Sequence, residues 1–140
     1  MIVSPKKLSN YRKLWITTVG EIKTFQRTNP RIAAVFKHMD LHNMNFVWID
    51  NIDVVGVLSI NLEKGDGHIW LSILFVNPKY EDYGIGSEIL EFAIKRYHID
   101  ALTVRTTNKK AIHLYKKYGF VIDTDSSDSY HSGVYRMYRK

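Results

Sequence analysis

The spacing of apolar residues changes several times along this chain of 140 residues, and each change predicts a different element. Apolar positions three or four residues apart predict a first helix over residues 9–27, with Ser9 or Asn10 as its cap. The dipeptide that ends in Pro30 interrupts this pattern. Because proline suits the first position of a helix, we predict a second helix over residues 30–39.

From residue 44 onward the sequence is β-branched and apolar, which is typical of strands. Turn signals at Asp50 and Asn51, and again at residues 65–67, divide this region into an antiparallel meander. No repeat or linker interrupts the chain, so we predict one α+β domain over residues 1–140. The predicted strands are 44–50, 53–62, 68–76, 101–105, 119–125 and 131–139, and the predicted later helices are 84–98 and 108–118.

The composition excludes several classes of protein. Apolar residues make up 45% of the chain and aromatic residues 13%, which suffices for a buried core and argues against disorder. The chain has no cysteine, which excludes disulfides and thiolate chemistry. No apolar run approaches the roughly 18 residues of a membrane span, and the first residues lack the apolar core of a signal peptide. We therefore expect a cytoplasmic protein without membrane contact.

The net charge of +6 is distributed unevenly. Residues 105–117 hold five lysines or arginines and no acid. Such a patch suits nucleic acid, an acidic substrate or the phosphates of a cofactor, and a solvated helix face explains it equally well. Nucleic acid is thus a possible partner that nothing else in the sequence indicates.

Two segments carry the strongest chemical signal. The first runs from Leu71 to Leu90, LSILFVNPKYEDYGIGSEIL, and has the pattern of a strand, a glycine-containing loop and the start of a helix. Such a junction presents free backbone N–H groups at the positive end of a helix dipole, which suits phosphate. The second segment, NKKAIHLYKKYGF from Asn108 to Phe120, predicts a short helix whose tyrosine can reach the same cleft.

Other chemistries have less support. His38 and His42 are four residues apart and could hold a metal on a continuous helix, but no third ligand stands nearby, so we expect solvent-facing histidines and no metal. Gly84 and Gly86 lack the third glycine of a dinucleotide-binding fingerprint. Neither a G-K-S/T motif nor a G-x-S-x-G motif occurs.

Together the two segments resemble the GCN5-related N-acetyltransferase (GNAT) superfamily. Its cofactor loop often has the pattern V-x-P-x-Y-R/Q-x-x-G-x-G/A, against VNPKYEDYGIG here. Its second motif, N-x-x-A-x-x-L-Y-x-x-x-G-F, is matched at every fixed position. The order of the predicted elements is also similar to that family's layout. The resemblance implies a mixed, mostly antiparallel sheet flanked by helices, with splayed central strands that form a cleft for acetyl-CoA.

The resemblance implies an N-acetyltransferase that moves an acetyl group from acetyl-CoA to an amine of an unidentified acceptor. The backbone of one strand would pair with the pantetheine arm as an added strand does, and the glycine loop would cradle the pyrophosphate. Asn108 would hydrogen-bond near the pantetheine. The implied strand residues are Leu74, Phe75 and Val76, and the implied loop residues are Tyr83, Gly84, Ile85, Gly86 and Ser87.

Tyr115 is the residue that the resemblance implies as the general acid for the departing thiolate. It lies seven residues after Asn108, about two helical turns, and therefore on the same helix face. Without the motif, a core aromatic would be the ordinary interpretation. The general base stays open, with Glu63, His68 and Ser72 as candidates.

One departure from the family pattern affects the cofactor loop. Glu81 stands where the family usually has arginine or glutamine, and Asp82 follows it. Each carboxylate, if exposed, repels a pyrophosphate by about 1 kcal/mol or less. An alternative function is therefore a binding or regulatory protein on the same fold with a weakened cofactor site. We also expect a homodimer in which the final strands provide the partner edge.

Overall fold

The structure, a computed structural model, describes residues 7–81, 83–124 and 133–140. Their strands form one seven-stranded sheet in the order β1-β2-β3-β4-β5-β7-β6, so the edge strands are β1 and β6. The strands are Arg12–Trp15 (β1), Met44–Asp50 (β2), Asp53–Asn61 (β3), Trp70–Val76 (β4), Ala101–Arg105 (β5), Phe120–Ile122 (β6) and Val134–Arg139 (β7). The α-helices are Val19–Thr28 (α1), Ala33–Lys37 (α2), Ile85–Tyr97 (α3) and Lys109–Lys117 (α4), and short 3-10 turns lie at Leu8–Asn10, Pro30–Ile32 and Pro78–Tyr80.

The two central strands separate in the middle of the sheet. β4 and β5 are the parallel neighbours, and they pair only at Trp70 with Ala101 and Leu71 with Leu102. On its other side β4 stays paired with β3 as far as Val76. The carboxyl half of β4 and the end of β5 therefore diverge and leave an opening. The mixed, mostly antiparallel sheet with splayed central strands is confirmed.

Helices cover both faces of the sheet. One hydrophobic cluster joins α3 and α4 to one face through residues such as Ile89, Leu90 and Ile112. A second cluster joins α1 and α2 to the opposite face through Phe25 and Phe36, whose rings stack with centroids 5.7 Å apart. Because neighbouring strand residues point to opposite faces, Leu74 and Val76 of β4 face α3, whereas Phe75 faces α1 and α2.

The predicted first helix over residues 9–27 is wrong in its first half. Residues 12–15 form the edge strand β1 instead, in register with β2 so that Leu14 lies opposite Val47. The helix begins at Val19, after Thr18, whose hydroxyl accepts a hydrogen bond from the Glu21 N–H at 3.1 Å. Glu21 Oε1 in return accepts from the Thr18 N–H at 3.1 Å. This reciprocal capping box fixes the helix start at Val19, ten residues later than the apolar spacing predicts.

Other boundaries also differ from the predictions. The second helix divides into the 3-10 turn Pro30–Ile32 and the short α2, which ends at Lys37 rather than at residue 39. The β2–β3 turn lies at residues 51–52, one residue later than predicted, with Asn51 at φ 59°. Part of the predicted final loop and of strand 131–139 lies outside the described residues. In the described part of the chain, no helix has the length and apolarity needed to cross a membrane.

Candidate active site

Two cavities open on either side of the point where β4 and β5 separate. The first, here named the loop cavity, has a volume of about 440 Å³ and lies between the glycine loop, β4 and α4. The second, here named the strand cavity, has a volume of about 560 Å³ and lies between α2 and the diverging strands. Leu74, Asn108 and Tyr115 line both. A molecule that occupies one cavity can thus meet a molecule in the other at these three residues.

The amino-terminal end of α3 forms one wall of the loop cavity. Gly84 precedes the helix at φ 77°, a left-handed conformation that glycine adopts readily. It has no side chain to cap the helix, and no side-chain cap bond is present. The N–H groups of the first turn are therefore available to a ligand. At Gly86 an added Cβ would stand 3.5 Å from Val76 Cγ2, so the absence of a side chain keeps the cavity open beside the helix backbone.

The loop before α3 is anchored to the start of β3. The Asn77 side chain donates to the Val54 carbonyl at 2.7 Å, and its backbone N–H donates to the Val55 carbonyl at 2.8 Å. The Tyr80 phenol donates to Asp53 Oδ2 at 2.9 Å, and burial together with this bond raises the pKa of Tyr80. These bonds hold the end of β4 and the entry to the loop in one position.

The helix α4 supplies the wall opposite α3. Asn108 caps it, since its Oδ1 accepts a hydrogen bond from the Ala111 N–H at 3.2 Å. Tyr115 lines the loop cavity with only 7% of its surface exposed. Its ring packs edge to face against the ring of Phe120, with the two ring centroids 6.1 Å apart. Burial raises the pKa of Tyr115 to about 12. The phenol therefore stays protonated at neutral pH and can act as a proton donor.

Side-chain hydrogen bonds connect α4 to α3 next to the loop cavity. The Tyr118 phenol at the end of α4 donates to Glu91 Oε1 at 2.8 Å and is also hydrogen-bonded to the Ser87 hydroxyl. Ser87 is in the first turn of α3 and lines the loop cavity. The position of this turn relative to α4 is thus set by side chains as well as by packing.

The strand cavity has a mixed lining. Its apolar part comes from α2 and β4, and its polar part includes Ser72, His38 and Arg105. Ser72 is the extra residue of a bulge in β4, because Ser59 lies opposite Ile73 and Ile60 lies opposite Leu71. The Asn43 amide donates both to Ser72 Oγ at 3.3 Å and to the buried Ser59 Oγ at 3.1 Å. In this network Ser72 Oγ is the acceptor of the bond from Asn43.

The sequence-predicted residues are only partly brought together. The loop cavity is lined by most of the expected cofactor residues, namely Leu74, Val76, Gly84, Ile85, Gly86, Ser87 and Asn108. Phe75 lines the strand cavity instead, because it points to the other face of the sheet. Tyr83 lines neither cavity and is 48% exposed. Glu81 does line the loop cavity, whereas Asp82 lies outside the described residues.

The candidate bases are also separated. Glu63 lies in an exposed turn and lines neither described cavity. His68 is hydrogen-bonded to Asp100 at 2.9 Å at the paired end of β4 and β5, and it too is absent from both linings. Ser72 alone of the three lines the strand cavity.

Sequence reasoning missed several lining residues. In the loop cavity these are Tyr80, Lys110, Ala111, His113, Leu114 and Lys117, and the four from α4 with bulky side chains follow the spacing of one helix face. This face lies roughly opposite Asn108 and Tyr115 on the helix, so the positions of those two residues in the sequence do not reveal it. His38 and Arg105 of the strand cavity could not be found from the sequence either, because α2 and β5 meet only in the fold.

No group of three or more potential ligands among the residues described is arranged to hold a metal ion. The helix α2 ends at Lys37, so His38 and His42 do not share a continuous helix. His42 Nδ1 instead lies 3.0 Å from Asp40 Oδ1 at an exposed position.

Comparison with known proteins places this architecture among acetyltransferases. The sequence pattern of the acetyltransferase (GNAT) family matches residues 10–120. A search of curated proteins found no match. Among solved structures, 223 chains match.

Three of the similar structures show the range of sequence identity and structural agreement. Naa50 of Arabidopsis thaliana, in complex with the bisubstrate analogue CoA-Ac-MVNAL, is 28% identical with a TM-score of 0.55, and the match covers 69% of this chain and 72% of that one. The ribosomal-protein-S18-alanine N-acetyltransferase of Escherichia coli is 18% identical over 91% of this chain and 93% of that one, with a TM-score of 0.62. A GNAT family acetyltransferase of Elizabethkingia anophelis with acetyl-CoA bound is 16% identical over 94% and 98% of the two chains, with a TM-score of 0.58. Since the family pattern spans well over half of the sequence and the fold agrees with these structures, the chain belongs to the acetyltransferase (GNAT) family.

Proposed function

We propose that this protein transfers an acetyl group from acetyl-CoA, bound in the loop cavity, to an amine that enters through the strand cavity. The observation that carries the proposal is the meeting of the two cavities at Leu74, Asn108 and Tyr115. A transferase must bring donor and acceptor into contact while keeping separate entrances for them. Two cavities that share one buried tyrosine meet that requirement.

The residues of the loop cavity fit acetyl-CoA. The uncapped first turn of α3 offers N–H donors to the pyrophosphate, and Gly86 allows the phosphates to approach the backbone. Lys110 and Lys117 in the same lining add positive charge. Beyond Leu71 the backbone of β4 no longer pairs with β5, so its N–H and carbonyl groups can bind an extended pantetheine arm.

Bound acetyl-CoA would supply the activated acetyl thioester, and the side chains of this protein would control the proton transfers. Tyr115 holds a proton on its phenol oxygen at neutral pH, since burial raises its pKa to about 12. In the proposed reaction it gives this proton to the thiolate sulfur as that group departs. A positioned general acid contributes about 10²–10⁴-fold to rate.

The acceptor amine must be neutral when it attacks the acetyl carbon. Ser72 and His38 are the side chains of the strand cavity that could receive its proton or pass it to water. Naa50, the 28% identical relative, was solved with an analogue that joins CoA to the peptide MVNAL. We therefore expect peptides to be the most informative acceptors to screen first.

A specific observation also favours a second candidate, a protein that uses the fold for binding or regulation. Glu81 is one of the residues that line the loop cavity, in which the proposal places the pyrophosphate. Repulsion at this position would lower the affinity for acetyl-CoA. A weakened cofactor site is what the alternative requires.

Two measurements distinguish these functions. Thermal unfolding with and without acetyl-CoA tests binding, because a ligand at 100 times its Kd stabilises the folded state by about 2.7 kcal/mol. Thiol release in the presence of a panel of peptides, amino acids and small amines tests transfer. Binding together with acceptor-dependent thiol release supports the enzyme. A chain that shows neither a shift at millimolar acetyl-CoA nor thiol release is not an acetyltransferase.

We further propose a cytoplasmic protein that forms a homodimer. The described strand β6 lies at the edge of the sheet and leaves Val121 exposed, which offers an edge for pairing with a second copy. Sedimentation of a single 16.4 kDa species over a micromolar concentration range would exclude the dimer.

A further inference from the structure

The strand cavity has an unusual balance of charge for a site that must accept an amine. Its titratable lining residues, among those described, are His38, Arg105 and Tyr115, and none of its lining residues is a carboxylate. A site for polyamines or other cationic acceptors needs carboxylates to hold the additional ammonium groups. The lining therefore disfavours acceptors that carry positive charge beside the reacting amine.

Arg105 is the residue that gives the cavity its positive charge. It is exposed at the end of β5, and no carboxylate of the described residues lies within ion-pair distance of its guanidinium. It lines the strand cavity but not the loop cavity, whose positive side chains are Lys110 and Lys117. The two cavities thus have separate cations, and Arg105 is placed to meet the acceptor rather than the donor.

The segment that includes α2 is also basic. Residues 22–39, which include α2, contain four lysines or arginines and no acid. The segment contributes Ala34, Val35 and His38 to the lining, and none of its four cations lines the cavity, so their charge acts on an acceptor through the field around the site. An anionic acceptor is attracted by such a field, and a cationic one is repelled.

The absence of a carboxylate also restricts the amine itself. The α-amino group of a peptide has a pKa near 7.8 and is about one-third neutral at pH 7.5, whereas the lysine amine, with a pKa near 10.4, is about a thousandth neutral. A cavity without a carboxylate to remove the proton favours the amine that loses it more readily. Beyond Leu102 the backbone of β5 is unpaired on the β4 side, which suits an extended peptide.

We propose that the acceptor is the amino-terminal α-amine of a peptide that carries an acidic side chain within its first residues, with Arg105 as the residue that recognises the acid. This assignment rests on the proposed function, because it names the acceptor of the same transfer. Arg105 binds the acidic side chain while the α-amine lies next to Leu74, Asn108 and Tyr115. The amine nitrogen forms the new amide bond, and its released proton passes to water or to a cavity side chain.

Matched peptides test the proposal. Peptides with a free amino-terminal alanine carry aspartate at the second position, the third position or both, and their partners carry asparagine at the same places. An amino-terminally blocked peptide with an internal lysine completes the set. We expect kcat/KM to be about five- to tenfold higher for the best aspartate peptide than for its asparagine partner, and the preference to shrink at high salt. The blocked lysine peptide should be a much poorer acceptor.

Three variants assign the preference to one side chain. Arg105→Gln should reduce the aspartate-to-asparagine ratio to about one, whereas Arg105→Lys should retain part of it. Arg12→Gln makes the same chemical change at an exposed position on the edge strand β1, and it should leave the ratio unchanged. The melting temperature and its rise with acetyl-CoA should stay the same in all three.

The outcomes are separable from those of the proposed function. Transfer to peptides without an acidic preference, a preference that survives in Arg105→Gln, or better transfer to lysine or polyamines overturns this inference and leaves the acetyltransferase intact. Acetyl-CoA binding without turnover on any amine overturns the inference and favours the binding protein. Absence of both binding and turnover overturns the proposed function as well.

Discussion

The phenol of Tyr80 donates a hydrogen bond to the carboxylate of Asp53 at 2.9 Å, and this bond connects the entrance of the loop cavity to the first residue of β3. Tyr80 lines the cavity, yet its hydroxyl is directed away from it towards the β2–β3 hairpin. Its contribution to the site is therefore to position the loop.

The variant Tyr80→Phe keeps the ring and removes this bond. Loss of a hydrogen bond to a partly exposed carboxylate should lower the free energy of unfolding by about 1 kcal/mol. The KM for acetyl-CoA should rise several-fold with little change in kcat, because the loop is displaced and the reacting groups are not. Tyr83→Phe, at an exposed position outside both cavities, is the matched control and should alter neither quantity. An unchanged KM in Tyr80→Phe would mean that the turn is held by Asn77 alone.

Gly86→Ala should raise the stability of the fold and weaken the binding of acetyl-CoA. An added methyl group meets Val76 Cγ2 at 3.5 Å and Leu114 Cδ2 at 4.0 Å, which are ordinary contacts, so the fold accepts it. Helix propensity should stabilise the protein by up to about 1 kcal/mol. The methyl group also occupies space next to the first turn of α3, and acetyl-CoA should bind at least about tenfold more weakly.

The chain contains a close control for this change. Gly20 is the second residue of α1, as Gly86 is the second residue of α3, and its added Cβ has only Thr18 Oγ1 within 4 Å, at 3.9 Å. Gly20→Ala should raise stability by a similar amount without affecting calorimetric binding of acetyl-CoA. Equal affinities in Gly86→Ala and the wild type would place the pyrophosphate elsewhere.

Much of this site was accessible from the sequence because the relevant signals are local. The glycine loop, the capping residue Asn108 and the position of Tyr115 on its helix depend on residues close together in the chain. The strand β1 depends instead on its pairing with β2, and its residues 12–15 continue a helix-like spacing of apolar positions. The residues of the strand cavity come from α2, β4 and β5, which only the tertiary fold brings together.

Glu81→Arg should tighten the binding of acetyl-CoA. The change replaces a residue of the loop-cavity lining by the type of side chain common at this position in the family, and the proposed function places two phosphate charges in that cavity. We expect affinity to rise about three- to tenfold at low salt and the gain to decrease as salt screens the charge. Glu63→Arg makes the same change of charge in an exposed turn outside both cavities, and it corrects for the effect of net charge. If the affinity for acetyl-CoA rises equally in both variants, Glu81 affects binding only through the net charge of the protein.

The stability of the protein at alkaline pH should depend on Tyr115. Burial raises its pKa to about 12 from the ordinary value near 10, so the neutral phenol is favoured in the folded state. The stabilisation is complete below pH 10 and is lost as the pH rises from 10 to 12, because the unfolded chain releases the proton first. Urea unfolding between pH 9 and 11.5 measures how the free energy of unfolding falls with pH. That fall should be less steep in Tyr115→Phe than in the wild type, by a slope that corresponds to at most one proton. An identical slope would show that the phenol ionises equally in both states.

Tyr115→Phe should lower turnover far more than it raises the KM for acetyl-CoA. The ring is packed against Phe120 and keeps that contact, so the variant removes only the hydroxyl of a residue that lines both cavities. Loss of general acid catalysis should reduce kcat by about 10²–10⁴-fold if departure of the thiolate limits the rate. Tyr97→Phe removes a phenol on α3 that lines neither cavity and should retain full activity.

The dependence on the leaving group tests the role of this proton directly. A donor whose thiol is more acidic needs less assistance as it departs, so the ratio of wild-type to Tyr115→Phe turnover should decrease across a series of increasingly acidic thioesters. A purely structural tyrosine would give a constant ratio, since loss of packing affects every donor alike. Full activity of Tyr115→Phe on a good acceptor would assign the residue to the core, and the thiolate would then take its proton from water.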